Sequence, residues 1–158
     1  METAFLLIVL LSYLGLLTGS IISYFTAEEI TIGKEYLKSL KSLILLLMLF
    51  LFFIQLNMNN IIAFTLSAAL VLFFFFFGSR LKYIHEDTII YAFFAIFLYE
   101  TKDIAPLYPV LIFIYGIPVA SLSYIEKHGS FFRRISSIMA DNILYPVLSL
   151  ANLIAFRN

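Results

Sequence analysis

The chain of 158 residues is 63% hydrophobic and only 13% charged, with equal numbers of acidic and basic side chains. A soluble domain is about half apolar and about a quarter charged, so this composition argues against a soluble globule and predicts an integral membrane protein. Zero net charge gives no electrostatic case for nucleic acid, and the absence of cysteine excludes disulfides and thiolate chemistry.

Six apolar segments come near the length that a helix needs to cross a bilayer, about 20 residues. They predict an all-α integral membrane protein, a bundle of six transmembrane helices that forms one domain over residues 1–158. Tyrosines at the segment ends, such as Tyr24 and Tyr124, suit the membrane–water interface. The predicted spans are residues 3–25, 42–57, 60–78, 88–104, 107–125 and 135–156.

The basic residues predict the orientation of these spans, because loops rich in Lys and Arg stay on the cytoplasmic side. Eight of the ten basic residues fall in the connectors after the first, third and fifth spans. Only Lys102 and Arg157 fall on the other side. Both termini are therefore predicted to be extracytoplasmic, in a multi-pass protein of the cell membrane.

The first span carries small residues at helical spacing, including a G-x-x-x-G pair. Such a face lets two helices approach closely, so it predicts helix packing, either within the chain or against a partner chain. Gly116 in the fifth span begins a face that would match it. The small residues of the first span are Ser12, Gly15, Gly19 and Ser23.

The connector after the first span predicts a short helix followed by a basic one. Thr26 and Glu29 have the spacing of a capping box, which would start the short helix, and Gly33 is expected to end it. The basic face beyond Gly33 suits anionic lipid head groups, or is a solvated face that only enforces topology. The residues assigned to anionic lipid are Lys34, Lys38 and Lys41, with Arg133 and Arg134 from the last connector.

The fourth span is unusually short. Its uninterrupted apolar part, residues 88–99, makes only about 18 Å of helix against a hydrocarbon core of about 30 Å. Acidic residues at its ends must approach the hydrocarbon unless the bilayer thins or water enters. We therefore predict that this span is shielded from lipid. In a transporter, Glu100 and Asp103 would lie at the outer mouth of a polar path, and the inner mouth would hold His85, Glu86 and Asp87.

The fifth and sixth spans contain helix breakers. Gly116 and Pro118 lie near the middle of the fifth span, and Pro146 lies within the sixth. Because proline removes a backbone donor and crowds the preceding turn, these residues predict that helices 5 and 6 are kinked or broken. A discontinuous fifth helix would line a ligand path, whereas an ordinary kink would only shape packing.

The last span carries polar residues spaced four, four, four and three apart. This spacing places them on one helix face, which we predict to meet protein or water rather than lipid. The polar stripe consists of Ser137, Asp141, Tyr145, Ser149 and Asn152.

Asp141 is predicted to lie about 10 Å inside the cytoplasmic end, where a carboxylate is costly unless it is paired, hydrated or protonated. Pro146 is expected to free the carbonyl of Asn142, so that Asp141 and Asn142 form a candidate way-station for a cation or proton. In the alternative interpretation, Asp141 pairs with a basic residue and only fixes the bundle. The basic candidates are Arg133, Arg134 and His85.

Recognisable catalytic motifs are missing from the sequence. His85 and Glu86 begin the zinc motif H-E-x-x-H, but Ile89 occupies the position of the second histidine. There is no glycine-rich phosphate loop and no G-x-S-x-G elbow. We therefore predict no metal and no cofactor, and we keep a lipid-modifying membrane enzyme only as a third interpretation.

Two functions of different classes are compatible with these patterns. The first is a transporter or channel-like protein for a cation, a proton or a small polar solute, with Asp141, Asn142 and Tyr145 along its path. The second is a non-catalytic membrane subunit, scaffold or assembly factor whose polar residues only hold helices together. The expected partners are membrane lipids and either a second copy of the chain or another membrane protein, not nucleic acid.

Overall fold

The computed structural model describes residues 2–78, 86–100 and 107–155, and these ranges are all-helical. Each of the six predicted spans contains a helix, and the last span is divided between two. In chain order the helices are α1 (Glu2–Phe25), α2 (Ala27–Ile32), α3 (Lys34–Gln55), α4 (Asn60–Gly78), α5 (Glu86–Glu100), α6 (Leu107–Glu126), α7 (Phe131–Asp141) and α8 (Leu144–Ala155).

Three of these helices, α1, α3 and α6, are long and apolar enough to cross a membrane. The pair α7 and α8 adds a fourth candidate if its two helices, bent by 40° at a short break, form one span. Helices α4 and α5 are apolar but shorter over the stretches 60–76 and 87–96. The described part of the chain therefore holds three to four candidate spans, as expected of a membrane protein, rather than a demonstrated six.

Helix α6 lies at the centre of the bundle. It is the most enclosed of the candidate spans, and it contacts α1, α2, α3, α5 and α7. Its most extensive contact is with α1, while α4 packs mainly on α3 and α8 packs mainly on α5. The outer surface carries large exposed apolar side chains, such as Leu10, Ile61 and Phe75. A surface of this kind is unfavourable in water and suits a lipid environment.

Helices α1 and α6 approach so closely because glycines remove side chains from their contact. A Cβ atom at Gly15 would overlap the carbonyl oxygen of Phe113, and one at Gly19 would overlap the carbonyl oxygen of Ile117. From the other side, a Cβ atom at Gly116 would lie 2.8 Å from the backbone of Gly15. The small-residue face of α1 therefore meets Gly116 within the same chain.

The connector between α1 and α3 folds as a short helix without the predicted capping box. The hydroxyl of Thr26 donates to the carbonyl of Ile22 at 2.9 Å, and no side chain caps the start of α2. The capping box is wrong because α1 continues to Phe25 and leaves an acceptor one turn behind Thr26. The predicted end at Gly33 is confirmed, since this residue separates α2 from α3.

The predicted break in the fifth span does not occur. Helix α6 continues without interruption through Pro118, which is almost completely buried. Pro118 lacks an amide hydrogen, but α6 packs closely against α1 on both sides of this residue. This packing explains why one proline does not divide the helix.

The sixth span does break, between Asp141 and Leu144. Pro146 has no amide hydrogen to donate to the carbonyl of Asn142, as a continuing helix would require. That carbonyl instead accepts a hydrogen bond from the amide of Tyr145 at 3.2 Å. The prediction of a free carbonyl at Asn142 is therefore wrong, because the tighter turn at the break supplies a different donor.

Candidate functional site

A cavity of about 530 Å³ opens at the end of the bundle where α3 and α5 begin and α6 ends. Among the described residues, its wall contains four lysines and two acidic residues, together with hydroxyl and apolar side chains. Three of the lysines come from the first two turns of α3, where spacings of four and three place them on one helix face. We call it the lysine cavity; its charged residues are Lys34, Lys38, Lys41, Asp87, Glu126 and Lys127.

Every lysine of the lysine cavity has a carboxylate partner, but the four pairs differ in depth. The outer pairs are Lys34–Glu126 at 2.8 Å and Lys38–Glu35 at 2.7 Å. The inner pairs are Lys41–Asp87 at 2.9 Å and Lys127–Asp141 at 2.5 Å. Side-chain exposure is 35% to 80% in the outer pairs but only 15% to 31% in the inner pairs. Solvent therefore weakens the outer pairs much more than the inner ones.

Asp141 is paired, as the alternative interpretation expected, but with a lysine that the sequence did not suggest. Lys127 donates to Asp141 at 2.5 Å and to the hydroxyl of Ser137 at 2.7 Å. Arg134 instead donates to the carbonyl of Gly129 and lies over a tyrosine ring, while Arg133 is exposed. The loop between α6 and α7 reverses the chain, so that Asp141 at the end of α7 comes close to Lys127. Helical spacing within one segment could not predict this contact.

The basic residues assigned to anionic lipid occupy two different environments. Lys34, Lys38 and Lys41 line the lysine cavity, between helices of the bundle. Arg133 is exposed on α7, and Arg134 is held by the loop before that helix. The lysines of α3 therefore border an internal space rather than form a purely solvated face.

The polar stripe of the last span faces the interior of the bundle on both sides of the break. Tyr145 and Ser149 are fully buried, and the other three members are partly buried. The hydroxyl of Tyr145 shares a 2.5 Å hydrogen bond with Ser12 of α1. The amide of Asn152 donates to the carbonyl of Ala95 in α5 at 3.5 Å. The stripe thus meets protein, which is the side on which the sequence analysis placed it.

A cluster of tyrosines lies next to the lysine cavity inside the bundle. Its aromatic rings lie with centroids 5.6 to 6.2 Å apart, from Tyr13 through Tyr145 and Tyr91 to Tyr115. Tyr115 connects this tyrosine cluster to the cavity, because its hydroxyl donates to Asp87 at 3.2 Å. Tyrosines were predicted mainly at span ends, so this cluster was not predicted. Tyr13, Tyr115 and Tyr145, in the middle of three predicted spans, were the signal in the sequence.

Several buried polar atoms near the stripe and the tyrosine cluster lack a hydrogen-bond partner within the described ranges. They are the hydroxyls of Tyr91 and Ser149 and the side-chain oxygen of Asn142. An unsatisfied buried polar group costs about 1–3 kcal/mol. A water molecule inside the bundle would supply the missing partner of each of these atoms.

The predicted outer mouth cannot be built from the described residues. Glu100 is the last residue of α5, and its side chain, like Asp103 and His85, lies outside what the structure describes. Within the described ranges, no group of three or more His, Asp or Glu side chains is arranged to hold a metal ion.

The arrangement is suited to binding a polar molecule. A charged cavity lies at one end of the bundle, and the hydroxyl of Tyr115 joins Asp87 of its wall to the tyrosine cluster inside the bundle. Comparison with protein-family models, with curated proteins and with solved structures finds no match to this chain.

Proposed function

We propose that this protein moves a small polar solute across a membrane, with the lysine cavity as its entrance and the tyrosine cluster beside its path. The observation that supports this most directly is a cavity of about 530 Å³ bordered by six charged side chains in a chain that is 63% hydrophobic. Charged groups inside membrane proteins usually face water-filled cavities and mark the paths of solutes and ions. The cavity also has the volume of a small-molecule site.

The proposal includes six crossings of the cell membrane, with both termini extracytoplasmic. Helix α4, with 19 residues, is about 28 Å long, and α5, with 15 residues, is about 22 Å long. Local thinning of the bilayer, or shielding of α5 by α8, would let both helices cross. Lysines from two connectors predicted to be cytoplasmic border the same cavity, which agrees with a cytoplasmic position for that cavity.

The pairing of Asp141 changes which solutes fit best. A bare cation at this carboxylate would have to displace the ammonium of Lys127, which already lies 2.5 Å away. A polar solute instead hydrogen-bonds to hydroxyl and amide groups without removing Lys127. Beyond the cavity, Tyr91 and Ser149 offer such groups at buried positions. We therefore favour a polar solute over a cation or a proton.

Transport is tested by reconstituting the full chain in liposomes. Uptake of glycerol 3-phosphate, glutamate, glucose and lysine is measured for the wild type and for Tyr115→Phe. This variant keeps the ring but removes the hydroxyl that donates to Asp87, and we expect about a fivefold loss of uptake. The matched control is Tyr108→Phe, because the Tyr108 hydroxyl is buried on the same helix without a described partner.

Uptake that falls for Tyr115→Phe and not for Tyr108→Phe would support the path. Uptake no greater than that of protein-free liposomes for all four solutes would overturn the proposal. Equal uptake by both variants and the wild type would remove the tyrosine cluster from the path.

A membrane subunit or scaffold is the second candidate, and one surface favours it. Helix α4 packs mainly on α3 and leaves large apolar side chains on its other faces, with Ile61 77% and Phe75 64% exposed. Such a face can contact lipid or another membrane protein. A stable complex recovered after crosslinking through α4 in native membranes, together with no uptake in liposomes, would favour this function.

A further inference from the structure

We infer that the lysine cavity binds an anionic group of the phosphate type, with Lys34 and Lys38 as its main ligands. As the identity of a transported solute, this inference rests on the proposed function. As a binding site, it is tested separately from transport.

The described lining of the lysine cavity contains more lysines than carboxylates. Among the described residues, four lysines and two carboxylates line it. Glu35 and Asp141, the partners of Lys38 and Lys127, do not line the cavity. A molecule inside the cavity therefore meets the ammonium groups of Lys38 and Lys127 without their carboxylate partners in the lining, an arrangement that favours a negative charge.

The outer pairs are the ones that an incoming anion can displace at low cost. The side chains of Lys34 and Glu126 are 35% and 63% exposed, and those of Lys38 and Glu35 are 45% and 80% exposed. Exposed pairs of this kind contribute little to stability, because water competes for both partners. The inner lysines, by contrast, pair with Asp87 and Asp141, whose side chains are only 20% and 31% exposed. Separating these pairs would cost more free energy, because it would leave partly buried carboxylates without their ammonium partners.

Lys34 and Lys38 are also suitably arranged to hold one anion together. They lie four residues apart in the first turns of α3, so their side chains project from the same helix face. Each ammonium has three hydrogens to donate, of which one serves the present carboxylate partner. The same end of α3 is the positive end of its helix dipole, which adds to the preference for an anion.

The remaining wall of the cavity indicates an anion that carries an organic part. Phe75, Phe76 and Leu122 supply apolar surface to the same cavity. Phe75 and Phe76 are also more than 60% exposed on the outside of the bundle, so the cavity borders the region where lipid is expected. A soluble phosphate ester and the head group of an anionic lipid share this chemistry, and the experiment separates them.

Binding is measured by titration calorimetry on the purified full chain in detergent. Glycerol 3-phosphate is the soluble probe, with glycerol as its neutral counterpart. Dihexanoyl phosphatidic acid is the lipid probe, with dihexanoyl phosphatidylcholine as its counterpart of zero net charge. We expect the anionic member of at least one probe pair to bind about tenfold more tightly than its counterpart.

Two variants of one outer pair give the decisive comparison. Lys34→Gln removes a ligand and should weaken binding of the anion about fivefold. Glu126→Gln removes the competing carboxylate and should strengthen it by about two- to fivefold. Glu28→Gln removes one negative charge from an exposed position outside the cavity lining and should leave binding unchanged.

Opposite effects of Lys34→Gln and Glu126→Gln would support the site, because a purely structural pair would be lost equally in both variants. Equal binding of each anion and its counterpart, or shifts in the same direction for the two variants, would overturn it. Anion binding without uptake in liposomes would support this inference and remove the transport proposal. Uptake of glucose without anion binding would support the transport proposal and overturn the anion site.

Discussion

The contact between α1 and α6 and the contact between α5 and α8 are formed by different types of residue. The first depends on Gly15, Gly19 and Gly116, where backbones touch and the nearby serines mostly bond to carbonyls of their own helix. The second contains polar side chains that bond between helices or lack described partners, among them Tyr91 and Asn152. Close backbone contact accounts for the first region without any ligand, whereas the second keeps polar groups that packing alone does not require.

The largest effect on stability is expected from Gly15→Leu, which would disrupt the contact between α1 and α6. The new side chain would overlap the backbone of Phe113, so the two helices would have to move apart at this position. We expect the free energy of unfolding to fall by about 3 kcal/mol or more, measured by denaturant unfolding in detergent. Leu14→Phe is the control, because Leu14 lies on the outer side of the same helix with 41% exposure. Equal stability of the two variants would contradict close packing at Gly15.

An intermediate effect on stability is expected at the inner pair between Lys127, directly after α6, and Asp141, the last residue of α7. Lys127→Met leaves Asp141 partly buried without this ammonium and should lower the free energy of unfolding by about 1–3 kcal/mol. Asp141→Leu alone should destabilise similarly, and the double variant should lose less than the sum of the two. Lys38→Met, in an exposed pair, should lower the free energy of unfolding by less than about 1 kcal/mol. Additive effects at Lys127 and Asp141 would show that the pair contributes nothing.

The smallest effect on stability, and the sharpest test of the comparison, is expected at Tyr91→Phe. Its hydroxyl is buried without a described partner, so its removal should leave stability unchanged or raise it by up to about 1 kcal/mol. Uptake in liposomes should nevertheless fall, because the path loses a polar contact. Tyr13→Phe should lower stability and leave uptake unchanged, since the Tyr13 hydroxyl donates to the carbonyl of Met139 and supports the fold. A stability loss at Tyr91 without any change in uptake would remove its role in the path.

Local features were the ones that the sequence could predict. Gly33 separates α2 from α3 as expected, and this boundary lies within one short segment of the chain. The spacing of Ser137, Asp141 and Tyr145 likewise describes one helix face, whichever helices surround it. The capping box failed at the same local level, since Thr26 had a nearer acceptor in the preceding helix.

Features that join distant segments could not be predicted in this way. Lys41 meets Asp87, and Lys127 returns to Asp141, through contacts between segments whose relative positions depend on the whole bundle. Helical periodicity reports which face a residue occupies but not which helix lies opposite. The lysine cavity and the tyrosine cluster depend on four or more segments, so neither could be derived from spacing alone.

Gly116 belongs to both of the regions compared above. A Cβ atom there would lie 2.8 Å from the backbone of Gly15 and equally close to the hydroxyl of Tyr91. The room beside that hydroxyl is therefore limited by how tightly α1 and α6 come together. For the proposed path, a wider or narrower passage beside Tyr91 would therefore require a different spacing of two backbones, so a methyl group at Gly116 is expected to affect uptake and folding together.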